Sequence, residues 1–441
     1  MATSSYRQLA KRLFTMTLPM VFGVLSLMSF QLVDSAFIGQ LGVLPLAAQG
    51  FTLPLQMVII GIQVGLGIAT TAVISLALGQ NKPRYAKQLG GLVILVGSIG
   101  VAIISLMIWL CRDALLYLLS APQSVYPVID SYWPIWLMSA WVGAVLYFLY
   151  SLCRANGNTV LPGSMMVVTS LLNMALDPIF IFTFDLGING AAYATIVAFS
   201  LGIVFVAPKV SKRQWISKDW SDLSIISSLR ALGNIMGPAM FSQLIPPLSS
   251  ILATKLVASF GTAAVAAWAV GSRYEFFAIV IVLALTMSMP PMIGRLKGEG
   301  KIADIQRLMT LAFGFILLFQ TLVALITKVF ATPLAQLLSA DPKVNDIVMI
   351  HLTWVPISLG ALGICMLVVS SCNALSHPYT ALFTSALRLF ACFLPCLWLG
   401  AHIAQLQGLF IGAFVGNILA GLVAWWLFRR VMAKISSAHP A

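Results

Sequence analysis

Apolar runs of about twenty residues or more recur along this chain, separated by short breaks rich in polar residues, glycine or proline. A run of that length crosses a bilayer as a helix, because each backbone group must find its partner within the segment. The runs predict twelve spans: 13–39, 46–78, 88–111, 128–153, 159–183, 188–208, 230–258, 264–293, 305–330, 345–373, 379–401 and 408–430. The expected fold class is an all-α polytopic membrane protein with the lipid bilayer as its partner. The first run follows Arg7, Lys11 and Arg12 and so imitates a signal peptide. It is too long for one, lacks a small-x-small cleavage site and contains Asp34, so it reads as a retained span.

The polar breaks carry a second pattern. Lys82, Arg84 and Lys87 fall in the second connection, Lys209, Lys212, Arg213 and Lys218 in the sixth, and Arg295, Lys297 and Lys301 in the eighth. The tails add Arg7, Lys11 and Arg12, then Arg429, Arg430 and Lys434. The odd connections hold few cations. Lys and Arg collect on the cytoplasmic side, so both termini are expected there. Composition agrees: 60% of residues are hydrophobic, 8% are charged and the mean hydropathy is +0.99. A soluble domain carries about 25% charged residues. The net charge of +13 is then a topological signal, and no basic patch interleaved with aromatics points to nucleic acid. The six cysteines are scattered singly, without a disulfide or zinc spacing.

Shifted by 219 residues, the chain's punctuation falls on itself. Leu18-Pro19 meets Gly237-Pro238, Gly42 meets Gly261, and Gly79-Gln80-Asn81-Lys82 meets Gly298-Glu299-Gly300-Lys301. Leu-Leu-Ser-Ala at 118–121 meets Leu-Leu-Ser-Ala at 337–340, and Cys153 meets Cys372. The repeat predicts two six-helix lobes, 1–208 and 230–441, joined by a polar cytoplasmic linker at 209–229. Six spans in each half give parallel repeats about a pseudo-twofold axis along the membrane normal, an arrangement suited to a central cavity and alternating access.

The repeat breaks its symmetry at polar positions. Asp34 falls opposite Ala253, and Asn173 and Asp177 fall opposite Cys392 and Cys396. The shared scaffold therefore does not need these groups to fold, which marks them for a specific task. Asn173 and Asp177 are four apart and share a helix face. Asp34 lies ~30 Å along the first span at ~1.5 Å per residue, and Asp177, Thr195 and Tyr132 fall at a comparable outer level. Intramembrane acids are costly and so point to function. The set suits a proton, shared between two acids, or a Na⁺ ion held by oxygens. Pro19 removes a helical hydrogen bond and is the expected hinge of the first span.

These residues carry a resemblance. Leu18-Pro19 with Asp34, Gly79-Gln80 after the second span, and Asn173…Asp177-Pro178 followed by Gly187-Ile188-Asn189-Gly190-Ala191-Ala192 resemble the MATE (multidrug and toxic compound extrusion) transporters. The resemblance covers essentially the whole chain and is greatest to the DinF-like branch. It implies a coupling site at Asp34, Asp177, Asn173, Thr195 and Tyr132 in the first lobe. It also implies a proton-coupled antiporter that exports amphiphilic, often cationic, drug-like compounds. Such a protein is not an enzyme; it needs no cofactor or metal and is expected to act as a monomer. The NorM-like branch adds acids on spans 7 and 10. Here span 7 has none and span 10 has none after Asp346, which favours protons over sodium. Phe30, Gln31, Met166 and Ser170, one or two turns from the acids, are the expected cavity walls.

Other span charges are Lys255, Arg273, Glu275 and Arg388. Arg273 and Glu275 are two apart and face differently, so the expected C-lobe ion pair joins Lys255 to Glu275, direct substrate contact being the other reading of these charges. Gly-Glu-Gly-Lys at 298–301 lacks the spacing of a phosphate loop, so no ATP hydrolysis is expected. A lipid-linked glycan flippase would need Lys255, Arg273 and Arg388 for pyrophosphate and ranks below drug export. An intramembrane prenyl transferase would need an Asp-x-x-Asp run, which the spans lack.

Overall fold

The computed structural model describes residues 5–438. Its helices are α1 (Tyr6–Gln40), α2 (Val43–Gly79), α3 (Pro83–Leu110), α4 (Arg112–Leu118), α5 (Tyr126–Ala155), α6 (Val160–Pro178), α7 (Ile188–Lys212) and α8 (Ile225–Ala258). They continue as α9 (Thr262–Ala278), α10 (Val280–Gly298), α11 (Ile302–Val329), α12 (Ala331–Leu338), α13 (Pro342–Ala374), α14 (Pro378–Ala386) and α15 (Leu394–Ala438). π-helical turns follow α6 at Ile179–Thr183 and α14 at Leu387–Phe393. No strand occurs among the described residues.

The repeat holds at the level of elements. Adding 219 carries α2 onto 262–298, the joint extent of α9 and α10, and carries α3 onto 302–329, which is α11. The packing repeats too: α5 lies against α2, α3 and α7, and its counterpart α13 lies against α9, α10, α11 and α15.

Among the described residues, eleven helical stretches are long and apolar enough to span a bilayer. The last, Pro378–Ser437, has 60 residues and contains two spans. As a straight helix it would reach ~90 Å at ~1.5 Å per residue, far beyond a membrane. Ala404 and Gln405 leave helical geometry, with Gln405 at φ 53, and the chain reverses there. Gly400 then meets Gly408, Gly412 meets the Cys396 carbonyl, and Gly416 meets Phe393, as in an antiparallel hairpin. The twelve expected spans are present.

Packing divides the chain into two compact units. One runs from Leu18 to Met240; the other joins the chain before Leu18 to the chain from Phe241 onward. The borders differ from the expected 1–208, 209–229 and 230–441, and the physical reason is that α1 and α8 each contribute to both units. The first turns of α1 are held within the second unit by Thr17 Oγ1–Ser288 Oγ at 2.8 Å and by Arg307 over the Tyr6 ring at 5.6 Å. Nearby, Lys301 hydrogen-bonds Glu299 at 2.7 Å and holds its carboxyl below the usual range.

The expected linker is shorter and ordered, because α7 runs to Lys212 and α8 starts at Ile225. The strap between them lies on α3. Ser217 N donates to Lys87 O at 3.0 Å, Arg84 pairs with Asp222, and Gly90 and Gly91 leave room for the Trp215 and Ser217 carbonyls.

Gly408→Leu should force the hairpin apart and destabilise the fold by ~1–3 kcal/mol, the usual cost of overpacking. Gly100→Ala, where nothing lies within 4 Å, should stabilise by ~0.5–1 kcal/mol. Thermal unfolding in detergent measures both.

Candidate functional site

Four helices of the Leu18–Met240 unit carry the expected acids and their neighbours toward one end. Asp34 and Asp177 lie near the C-terminal ends of α1 and α6, while Tyr132 and Thr195 lie near the N-terminal ends of α5 and α7. Antiparallel neighbours bring such ends to one level. The Asn173 amide donates to Thr195 Oγ1 at 3.0 Å, and Thr195 donates to Ala191 O at 3.0 Å. Asp177 lies one turn beyond Asn173 on the same face, and both are fully buried. The charge of Asp34 reaches both Asp177 and buried Tyr132. The structure thus joins Asn173 directly to Thr195, sets Asp177 on the Asn173 face, and leaves Asp34 within electrostatic reach of Asp177 and Tyr132.

The local sequence explains the alignment. Pro178 has no N–H to donate, and the chain widens into the π-helical turn that follows. It then turns at Gly187, whose φ of 55 suits glycine. At Gly190 a Cβ would meet the Phe180 carbonyl carbon at 2.6 Å, so only glycine lets α7 start against that turn. This contact sets Thr195 opposite Asn173.

Neither oxygen of Asp177, nor Oδ1 of Asp34, nor Oδ1 of Asn173 has a hydrogen-bond partner. No Lys, Arg or His pairs with either acid among the described residues. An ionised carboxylate in that setting is expensive, and a bound proton or cation is the direct remedy.

Pro19 stands where α1 crosses α6. A Cβ on Gly163 would run into the Pro19 carbonyl, and one on Gly23 would meet Gly163 O at 3.0 Å and Met166 Cβ at 3.2 Å. The bend position of α1 therefore bears directly on the helix that carries Asn173 and Asp177. Met166 serves this contact. Of the expected cavity walls, Phe30, Met166 and Ser170 are buried in packing and Gln31 is exposed.

The second unit holds a cluster that sequence reasoning assigned differently. Glu275 does not meet Lys255. His351 Nε2 approaches Glu275 Oε1 at 3.3 Å, and Arg388 lies within electrostatic reach of Glu275. The reason is geometric: α9 packs on α13 through Gly271, where a Cβ would sit 2.7 Å from the His351 ring. Glu275, one turn on, faces the same helix, while Lys255 and Arg273 are exposed. His351 was missed; a lone histidine in the apolar run 345–373 was its only signal.

The MatE family profile matches residues 19–179 and again 238–399, two stretches that begin 219 apart. The FAD transporter of Shewanella oneidensis is 30% identical over 434 residues, covering 96% of this chain and 95% of that protein. The multidrug export protein MepA of Staphylococcus aureus is 23% identical, covering 69% of each chain. The crystal structure of the Vibrio cholerae MATE transporter VcmN in the bent form is 67% identical, covers 98% of both chains and superposes with a TM-score of 0.96.

A double-mutant cycle on Glu275→Gln and His351→Gln should give a coupling of ~0.5–3 kcal/mol in thermal unfolding, as for residues in contact. Lys255→Gln should change stability by less than ~0.5 kcal/mol and show no coupling to Glu275→Gln.

Proposed function

Because the chain belongs to the MatE family, and is a membrane transporter rather than an enzyme, we propose that it is a proton-coupled antiporter exporting amphiphilic organic compounds, cationic drug-like molecules among them. One observation carries the coupling: Asp34 and Asp177 lie in one unit, close enough to interact, with buried oxygens that have no hydrogen-bond partner and no cation. Two acids at close quarters in an apolar setting exchange a proton more readily than they hold two charges. The site lies in the inner membrane of a bacterium, toward the outer face, with both chain ends in the cytoplasm.

The cycle follows from these groups. Substrate enters from the cytosol or inner leaflet. Protons from outside neutralise Asp34 and Asp177 after the protein opens outward by alternating access. A neutral Asp177 can donate as well as accept, so the hydrogen bonding around Asn173, Thr195 and Tyr132 rearranges. The change reaches α1 and its bend at Pro19, and substrate leaves. Sodium is the competing ion for the same oxygens. The lack of acids in span 7, and in span 10 after Asp346, supports protons.

A second reading, export of a flavin nucleotide, is favoured by the full-length similarity to the Shewanella FAD transporter.

Efflux of a fluorescent cationic dye from vesicles tests the first reading. Lowering the external pH should speed wild-type export, since protonation from outside drives substrate release. Asp34→Asn, fixed in the uncharged form, should lose that acceleration and run at the rate seen without a gradient. Wild-type acceleration in Asp34→Asn would reject the site. Acceleration by a sodium gradient alone would reject the proton.

A further inference from the structure

The remaining charge in the spans of the second unit is unbalanced. Away from the helix ends these spans hold Arg273, Glu275 and Arg388, two guanidiniums against one carboxylate. Glu275 faces other partners than Arg273: His351 stands 3.3 Å from it and Arg388 lies within electrostatic reach. Arg273 has no ion pair or hydrogen bond among the described residues and is exposed.

Arg273 also sits on an unusual helix face. The buried face of α9, with Ala264, Ala267, Trp268 and Gly271, packs toward α13. The exposed face presents Thr262, Ala266, Ala269, Ser272, Arg273 and Phe276. The small and hydroxylated residues before Arg273 leave space beside the guanidinium, and Phe276 one turn beyond it adds an apolar surface, so the face is suited to an amphiphile with an anionic group. Arg273 lies ~16 Å along α9 from Thr262 and ~33 Å along the helices from Arg295, at ~1.5 Å per residue. An unpaired arginine at such depth costs several kcal/mol against hydrocarbon unless it faces water or an anion. The span is also broken nearby. α9 ends at Ala278, and the freed Ala278 carbonyl accepts from Gln320 Nε2 at 3.0 Å. Discontinuous helices of this kind surround substrate sites in transporters.

We infer that Arg273 is an anion-binding position of the transport path, and that it takes a phosphate or carboxylate group of an amphiphilic substrate. The inference rests on the export reading and extends its substrate class to organic anions. A guanidinium offers two parallel N–H donors to such a group, which gives it selectivity over a neutral analogue.

The test uses the full chain in phosphatidylcholine nanodiscs with two probes that differ by one phosphate, riboflavin and riboflavin 5′-phosphate, read by flavin fluorescence. Wild type should prefer the phosphate ester by roughly tenfold, the scale of one charge-assisted contact. Arg273→Gln should bring the ratio to unity, and Arg273→Lys should keep part of it. Equal affinities in wild type, no binding of the ester, or an unchanged ratio in Arg273→Gln would overturn the inference. So would native mass spectrometry showing phosphatidylglycerol held by wild type and lost in Arg273→Gln, which would put a lipid phosphate at Arg273. The binding ratio needs no gradient, whereas dye efflux does, so the inference and the export reading fail separately.

Discussion

The structure depends on a charge that it does not neutralise. Asp177 is fully buried, Asp34 interacts with it, and neither has a cationic partner. In hydrocarbon this arrangement costs several kcal/mol whenever both acids are ionised. A salt bridge would remove the cost and would also remove any reason to bind a proton. The surroundings hold the acids without satisfying them. Asn173 points its amide at Thr195, Gly190 seats α7 on the turn after Pro178, and Gly163 seats Pro19 on α6. Each contact fixes a position and leaves the carboxylates open.

Duplication supplied the frame, and divergence supplied the chemistry. The two halves share their helices element for element at an offset of 219, yet Cys392 and Cys396 occupy the places of Asn173 and Asp177. The second half placed its own carboxylate elsewhere. Glu275 lies 3.3 Å from His351 and within electrostatic reach of Arg388, whereas no Lys, Arg or His pairs with Asp34 or Asp177 among the described residues. α1 and α8 each begin in one packing unit and end in the other, with Pro19 and its repeat equivalent Pro238 near the borders.

Much of this was legible in the chain. Apolar runs gave the spans, and the offset gave the duplicated element order, since both rest on short-range pattern. The acid cluster could be assembled by counting residues along helices of alternating direction. What escaped depended on distant contacts. The Glu275 partner is His351, 76 positions away, and spacing alone could not choose it over Lys255 on the preceding helix. The unit borders fall inside continuous helices, where no polar break marks them. Met166, expected at a cavity wall, also packs at the close crossing of α1 and α6 at Gly23 and Gly163. The strap from Arg213 to Ser224 carries enough charge to look like a free linker, yet Gly90 and Gly91 admit its backbone.

The central claim is that Asp34 and Asp177 hold a proton that substrate displaces. Its most direct test is proton release from purified protein in weakly buffered detergent solution, followed by a pH dye as a cationic substrate is added. Wild type should release protons on binding, and Asp34→Asn/Asp177→Asn should bind substrate without release. Equal release from the double variant would contradict the account.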